Sequence, residues 1–432
     1  MLVSREFITT CLDIAKSQGF NAIVQVSESY QIGQVYKSLT REMLREVRSE
    51  ASISLALELG GKKASQSSSF TANLSPAMLV SGVAALLDYA TPDTAESIPA
   101  ITDSVTADSS QFDMSEISAW VSSTYDTAYA CISASADGYE VETLEISASI
   151  SSRIFANSFG AFKSHATSES SVVFEYTGKL GEVSEVDYFA RSEPYLLQWN
   201  DAWEAECAKK LRDRLHHIPA GFMSGNYSVA FEPEIATAIF SEFLGLLSGY
   251  AIAEGMSPFT IERLGTLVMP EWATLASLPH GPRLSVSQYF DGNGITPQAL
   301  TLVEQGKLKG LFLRKAAALR LGLEPNGQAG PLNITWHNTQ PRTSLAGVQI
   351  LFTDLSGLGT IDSSTGNFAL DGSGYLVKPD GSLGGFVKNV GLSGNICDIF
   401  AHLAGSLNDT LDHGSMRIPT IITAAIPLTP TI

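Results

Sequence analysis

Apolar and polar residues alternate over two long blocks of the first half of the chain, and this alternation restricts the fold more than any other feature. The first block lies between about Ala22 and Phe70, and the second between Tyr139 and Arg191, as in "ASISLALEL" and "YEVETLEISASIS". A period of two residues places successive side chains on opposite faces of a strand. We therefore predict antiparallel strands in both blocks, with four strands in the first.

Helical patterns flank these strands. We expect an amphipathic helix near the N-terminus and a second helix that begins at Ser75 and Pro76, where a cap residue precedes a proline. Two more are predicted from about Met114 to Ala134 and from Trp199 to His217. Residues 1–218 are therefore predicted to form an α+β domain in which an antiparallel sheet packs against helices.

The second half has short apolar runs separated by Gly, Asn, Asp and Pro, which is typical of an antiparallel β domain. We predict that residues 219–432 form this mostly antiparallel domain. An apolar stretch from Pro233 to Ala253 is predicted to be a helix buried within it, and a short helix is expected from about Ile396 to Leu403.

Composition restricts the function. The 432-residue chain has 44% hydrophobic and 17% charged residues, which is enough to bury a large core, and its formal net charge is −18. A surface this acidic repels phosphate backbones, so we expect no nucleic-acid partner. No run approaches the length of a membrane-spanning helix, and the N-terminal segment resembles an amphipathic helix rather than a secretory signal, so a cytoplasmic location without a membrane partner is expected.

Local metal and nucleophile motifs are missing from the sequence. The four cysteines are far apart, without a C-x-x-C pair, and the histidines form no H-x-H, H-x-x-x-H or H-E-x-x-H pattern. There is also no G-x-S-x-G element of a serine hydrolase. The cysteines are interpreted as ordinary buried thiols.

The segment "AIFSEFLGLLSGYAI", Ala238 to Ile252, carries one carboxylate, Glu242, in an apolar helix. Glu242 has two interpretations, a general base or a buried carboxylate paired with the backbone or an arginine, and the second is favoured because a buried charge needs a partner. Gly245 and Gly249 lie four residues apart, with Ser248 between them. We interpret the glycines first as sites of close packing and second, with Ser248, as part of a peptide groove.

Several segments in order resemble the TldD/PmbA family of peptide-processing metalloproteases, once called modulators of DNA gyrase. The resemblance covers most of the chain and is strongest after residue 220. It rests on "PEIATAIFSEFLGLLSGYAIAEGMSPF", "FDGNGITPQALTLVEQGKLKGLFL", "TGNFALDGSGYLV" and "GNICDIFAHLAGSLNDTLDHGSMRIPTIIT". Residues in family-like places are Asp291, Gly294, Pro297, Glu304, Gly306, Leu308, Gly310, Gly394, Asn395, Asn408, Asp409, Gly414, Ser415, Pro419 and Thr420.

The resemblance implies a member without the metal site. TldD-like members carry His-Glu-x-x-x-His on this helix and a later cysteine, whereas this chain has Ser241 and Leu246 at the two histidine positions and no cysteine in "NDTLDHGSMRIP". The chain is thus identified as a PmbA/TldE-like member, a pseudoenzyme with no metal or other cofactor of its own, and zinc is expected only in a TldD-like partner. His413 and Asp409 could replace the lost ligands, but they are disfavoured because no second helical histidine accompanies them. Cys397 lies where a helix N-terminus can lower a thiol pKa, but it is interpreted as a core residue beside Ile399 and Phe400.

Two functions follow from the resemblance. The first is a non-catalytic subunit that pairs with a TldD-like chain, or forms a homodimer when isolated, and helps to process or degrade unfolded peptides. The second is a stand-alone peptide-binding or peptide-tailoring protein that has diverged from the heterodimer.

Overall fold

A computed structural model describes residues 3–38, 42–71, 73–135, 139–281, 286–410 and 416–430. The helices are α1 (Arg5–Ser17), α2 (Pro76–Leu86), α3 (Met114–Ser135), α4 (Asp201–Leu215), α5 (Pro233–Leu246), α6 (Gly249–Ala253), α7 (Lys315–Arg320) and α8 (Ile396–Ala401). The strands of the N-terminal part are β1 (Asn21–Lys37), β2 (Glu42–Leu59), β3 (Lys62–Ser69), β4 (Val105–Asp108), β5 (Tyr139–Asn157), β6 (Phe162–Leu180) and β7 (Val183–Glu193). Those of the C-terminal part are β8 (Gly225–Phe231), β9 (Ala273–Ser277), β10 (Leu300–Glu304), β11 (Lys307–Leu308), β12 (Ile334–Asn338), β13 (Ile350–Ser356), β14 (Asn367–Val377), β15 (Leu383–Asn395), β16 (Leu403–Ser406), β17 (Met416–Arg417) and β18 (Ile421–Pro430).

The N-terminal sheet has the strand order β3-β2-β1-β5-β6, and both β4 and β7 pair with β6. All of its pairs are antiparallel except β4–β6. The predicted antiparallel strands are therefore present, but the predicted number of strands in the first block is wrong. The predicted four strands between residues 22 and 70 are three, because β1 and β2 run for 17 and 18 residues without a turn.

One face of this sheet carries the helices. In β1 the apolar residues Val24 and Val26 belong to the core under α1 and α2, and Ile32 belongs to the core under α3 and α4. These residues have even numbers, so they share one face of the strand. The odd-numbered Ser27 and Ser29 lie on the opposite face, where Ser27 is exposed and Ser29 is half-buried.

The C-terminal part contains two sheets. A five-stranded sheet has the order β11-β10-β9-β12-β17, and a six-stranded sheet has the order β15-β14-β13-β8-β18-β16. Because β15 also pairs with β18, five strands of the second sheet close into a ring. The fold is thus α+β with mostly antiparallel sheets, as predicted. No helix among the described residues combines the length and the apolar character needed to cross a bilayer.

Helix α4 connects the two parts through charged side chains. Lys210 lies 3.3 Å from Glu232, at the start of α5, and Arg214 lies 3.6 Å from Asp187 of β7 and 3.1 Å from Asp354 of β13. The pKa of the Glu232 carboxyl is raised to about 7, mainly by burial, although the Lys210 ammonium opposes this shift.

The loop around Asp291 makes a second connection. Asp291 is buried and accepts hydrogen bonds from the backbone N–H groups of Asn293 and Ile295, both at 2.8 Å, which closes a tight turn. Gly294 in this turn has φ of +79°, and a Cβ there would overlap the buried ring of Phe155. The family-like glycine at this position therefore lets the loop lie directly against the N-terminal sheet.

Candidate functional site

Helix α5 carries the motif positions. It begins at Pro233, which suits the first helical turn because its missing N–H would have no partner there. Its buried residues recur at helical spacing and are Ala236, Ile239, Phe240, Phe243, Leu244 and Leu246. This face packs into the main core of the C-terminal part, so α5 is the buried helix that the sequence predicts.

The helix ends earlier than predicted. The predicted helix from Pro233 to Ala253 is two helices, α5 and α6, because residues 247–249 turn aside to pair with Phe312. The N–H of Gly249 donates to Phe312 O at 2.8 Å, and the N–H of Phe312 donates to Leu247 O at 3.0 Å. Tertiary hydrogen bonds therefore interrupt a sequence whose local pattern favours one continuous helix.

Ser241 occupies the first histidine position of the metalloprotease motif. It is exposed, and its hydroxyl donates to Thr237 O at 3.0 Å and lies 3.8 Å from the Sδ atom of Met416. Met416 belongs to the segment in which catalytic relatives are expected to place their cysteine. The fold thus brings the two motif regions together, but the groups in contact are the hydroxyl of Ser241 and the thioether of Met416.

Glu242 and Leu246 lie in different environments. Glu242 is half-buried, and no described residue forms a hydrogen bond or ion pair with its carboxylate. Whether this carboxylate acts as a general base or has a structural role stays a prediction. Leu246, at the second histidine position, is only 4% exposed and belongs to the apolar core.

The two glycines differ. A Cβ at Gly249 would lie 2.6 Å from Leu313 Cδ2 and 2.8 Å from Phe312 O, whereas a Cβ at Gly245 would have no neighbour within 4 Å. The close-packing interpretation therefore holds for Gly249 and is wrong for Gly245, which is exposed. Ser248 is half-buried beside Phe312, and whether it lines a peptide groove stays a prediction.

Two of the side chains considered from the sequence, the candidate ligand Asp409 and the candidate reactive thiol Cys397, are described by the structure and are occupied or buried. Both carboxylate oxygens of Asp409 accept hydrogen bonds from Thr420, one from its N–H at 2.9 Å and one from its hydroxyl at 2.6 Å. Burial raises the pKa of the Cys397 thiol to about 11, which disfavours the reactive thiolate. His413 lies outside the described residues.

These donors do not fit a catalytic zinc ion, which takes three nitrogen, sulfur-thiolate or carboxylate ligands and leaves one position for water. At the motif positions the described side chains supply the Ser241 hydroxyl, the Met416 thioether, Leu246 and the Glu242 carboxylate. Over the described ranges as a whole, no group of three or more His, Cys, Asp or Glu side chains could hold a metal ion.

Residues 224–429 match the model of the PmbA/TldA metallopeptidase C-terminal domain. The chain is also 27% identical over 275 residues to the metalloprotease PmbA homolog of Haemophilus influenzae. The aligned region covers 61% of this chain and 59% of that protein. The C-terminal part of the chain is of the TldD/PmbA type. With metalloprotease PmbA of Escherichia coli O157:H7, the chain shares 24% identity over 285 residues, 62% of this chain and 60% of the relative.

Two proteins with solved structures have the same fold as this chain. A Bacteroides thetaiotaomicron protein whose proposed role is modulation of DNA gyrase superposes with a TM-score of 0.86 at 20% identity, with 100% of both chains covered. TldE from Thermococcus kodakarensis superposes with a TM-score of 0.78 at 15% identity, and the superposition covers 98% of this chain and 99% of TldE. The matches to the curated PmbA relatives span about three-fifths of those proteins.

Sequence reasoning missed Met416 as the neighbour of Ser241. The only signal was its place beside Gly414 and Ser415 in a family-like segment, and an isolated methionine carries no chemistry that would single it out. Its position follows from the short parallel pairing of β17 with β12, which places Met416 opposite Ile334.

Proposed function

We propose that this chain is the non-catalytic, PmbA/TldE-like subunit of a TldD/TldE-type metalloprotease complex that processes or degrades unfolded peptides. One observation carries the proposal: Ser241 and Leu246 stand at the two histidine positions of the motif, and the later segment that contains Met416 has no cysteine. Without a metal, a water held by Glu242 keeps its high pKa and is not a nucleophile at neutral pH.

The relatives support this assignment. The curated proteins with the similarities described above are named PmbA, and one structural neighbour is named TldE. In the proposed complex, a TldD-like chain with an intact His-Glu-x-x-x-His motif supplies the zinc, and this chain completes the peptide chamber. The formal charge of −18 supports a peptide rather than a nucleic-acid substrate.

The test is peptide cleavage by the reconstituted pair. An unfolded peptide is incubated with the purified chain alone, with a TldD-like protein alone, and with a mixture of the two proteins. The products are identified by mass spectrometry. We expect cleavage by the mixture and none by the isolated chain, and we expect size-exclusion chromatography to show the pair as one complex.

The Glu242→Gln variant separates a catalytic from a supporting role. Because the scissile bond is proposed to lie against the partner's metal, the mixture that contains this variant should cleave at the rate of the unmodified mixture. Cleavage by the isolated chain that is lost in Glu242→Gln would place the catalytic role in this subunit and overturn the proposal.

A further inference from the structure

A cavity of about 450 Å³ opens in the C-terminal part, and its walls come from β14, β15, α8 and β18. Strand β18 pairs with β16 up to Thr423 and with β15 from Leu428 onward, so residues 424–427 pair with neither strand in the described chain. Helix α8 connects β15 to β16 beside this gap. The volume falls within the range of ligand pockets, about 300–1,000 Å³.

The buried part of the wall is apolar. Phe368, Ile399 and Ile426 contribute to it, are 5–7% exposed and belong to the main core. Thr423 also contributes, but its Oγ1 is inaccessible, so its hydroxyl cannot meet a ligand. A group held against this part of the wall must itself be apolar, because a polar group buried there without a partner costs free energy.

Two charged or polar side chains stand at the exposed rim. Asp398 and His402 line the cavity, are exposed and lie four residues apart, so they project from the same side of α8 and the turn that ends it. The Asp398 carboxylate has no hydrogen bond or ion pair among the described residues. His402 Nδ1 lies 2.9 Å from Asp398 O, and a carbonyl only accepts, so Nδ1 carries the proton and Nε2 of the neutral imidazole accepts.

The amide in the wall is already satisfied. Asn395 Oδ1 accepts from the Cys397 N–H at 2.8 Å, and Nδ2 donates to Thr365 O at 2.8 Å and to Asn367 Oδ1 at 2.9 Å. Ser393, also exposed at the rim, has a hydroxyl that can accept a further bond. No lysine or arginine is among the described residues that line the cavity. The rim therefore favours a ligand group that donates hydrogen bonds and carries positive charge.

We propose that this cavity binds the N-terminal residue of a peptide, with an apolar side chain against the buried wall and the α-ammonium group at Asp398 and His402. An ammonium group donates three hydrogen bonds and accepts none, and its bond to a carboxylate is charge-assisted. The net charge of −18 also attracts a cationic end. The inference deepens the proposed function and rests on it for the source of the peptide.

Helix α8 connects this cavity to the motif helix. Phe400 of α8 packs with its ring centroid 4.4 Å from that of Phe240 and 4.3 Å from that of Phe243, both on α5. A peptide end held on α8 therefore lies on an element that packs directly against the motif helix.

The test uses the intact chain without a partner, at pH 7. Phe-Ala-Ala-amide, its N-acetylated form and Gly-Ala-Ala-amide are titrated into it by calorimetry. We expect saturable binding of the first peptide, at least tenfold weaker binding of the acetylated form, which has lost the charge, and none of the glycine peptide, which lacks the apolar side chain. Equal affinities for the free and acetylated peptides, or no saturable binding, would overturn the proposal.

A lysine peptide distinguishes the two sources of an ammonium group. N-acetyl-Lys-Ala-Ala-amide has a side-chain amine on an apolar stem but no N-terminal amine. It should bind at least tenfold more weakly than Phe-Ala-Ala-amide, because its charge lies at the tip of the side chain and would enter the apolar part of the cavity. Equal or tighter binding of the lysine peptide would overturn recognition of the N-terminus.

Asp398→Asn tests the contact with the ammonium group. It keeps the shape of the side chain and removes its charge, so the free and acetylated peptides should bind with nearly equal affinity. Glu324→Gln is the matched control, since it removes one negative charge from an exposed residue outside the cavity wall and should keep the preference. A preference that survives Asp398→Asn would show that the amine binds elsewhere.

Two further variants localise the apolar contact. Ala424→Trp, from the exposed rim, should abolish binding by filling the cavity, whereas Ala401→Trp, on α8 but outside the cavity wall, should leave it unchanged. Circular dichroism confirms that each variant is folded. Unchanged binding in folded Ala424→Trp would contradict this location.

The result is independent of the cleavage experiment. Failure of the peptides to bind overturns only the pocket and leaves the subunit assignment in place. Cleavage by the isolated chain overturns the subunit assignment, whether or not the cavity binds a peptide N-terminus.

Discussion

Single side chains decide what the motif helix can do, and the two glycines of this segment allow a direct comparison. Gly249→Ala should destabilise the chain by about 1–3 kcal/mol, because the new Cβ meets the backbone oxygen of Phe312 at 2.8 Å and the structure must shift. Gly245→Ala should instead stabilise it by about 0.5 kcal/mol, since that position is open and helical. The melting temperatures of both variants, measured by thermal unfolding, test these two predictions. Equal changes in melting temperature would contradict the difference between the two glycines.

Ser241 gives a second prediction at the residue scale. Its hydroxyl already donates to Thr237 O and contacts Met416, and neither a hydroxyl nor a thioether is a ligand that zinc favours. We expect the chain to retain no stoichiometric zinc after incubation with the metal and gel filtration, as measured by atomic emission. One retained equivalent that is lost in Glu242→Gln would contradict the pseudoenzyme assignment.

At the scale of elements, α4 fastens the N-terminal sheet to the C-terminal part through buried charges. Glu232 faces Lys210 and lies near Glu234 and Glu206, and Asp187 is a further acidic neighbour of Lys210. Burial raises the pKa of Glu232 from 4.5 to about 7. Folding therefore favours its protonated form, and this stabilisation is present below about pH 4.5 and is lost as the pH rises through 7.

The pH dependence of Glu232→Gln tests this element. Relative to the unmodified chain, the variant should gain stability between pH 5 and pH 8, by up to about 3 kcal/mol, because it has no buried carboxyl to ionise. The control is Glu206→Gln, which removes another neighbour of Lys210 whose side chain is 62% exposed and should show little pH dependence. Melting temperatures across this range provide the measurement, and parallel curves for Glu232→Gln and the unmodified chain would refute the assignment.

At the scale of the molecule, the two parts meet where the Asp291 loop lies on the N-terminal sheet. Gln25 Nε2 donates to Gly292 O at 2.6 Å, and Lys163, buried in the sheet, lies 3.5 Å from Thr296. These contacts join residues more than 130 positions apart in the chain. The relative position of the sheet and the motif helix therefore depends on this loop.

Gly294→Ala tests the junction. It should loosen the contact between the two parts, because the added methyl overlaps Phe155 and the residue must also keep a φ of +79°. Gly322→Ala is the control, since Gly322 has φ of +68° with open space around it and should cost only the conformational strain of about 1 kcal/mol. Limited proteolysis of residues 216–224 should accelerate in Gly294→Ala alone, and equal rates in both variants would argue against a tight junction.

The site could be predicted from the sequence only where chemistry depends on residue type. The absence of histidines at positions 241 and 246 is readable directly, because no arrangement of the chain gives leucine a lone pair for zinc. The contact between the Ser241 hydroxyl and Met416 was not readable, since the two residues lie 175 positions apart in the chain.

The sequence by itself determined the local elements of this protein: the period-two strands, the α+β class, the capped start of α2 at Ser75 and the apolar face of α5. Each depends on residues a few positions apart, whose spacing sets which side of an element is apolar. Only the tertiary structure decided the closure of five strands into a ring, the break after Leu246, the contact of Ser241 with Met416 and the half-buried position of Glu242. These features depend on pairings between distant segments, and in a single sequence nothing in the periodicity of one segment specifies the register of the segment that it meets.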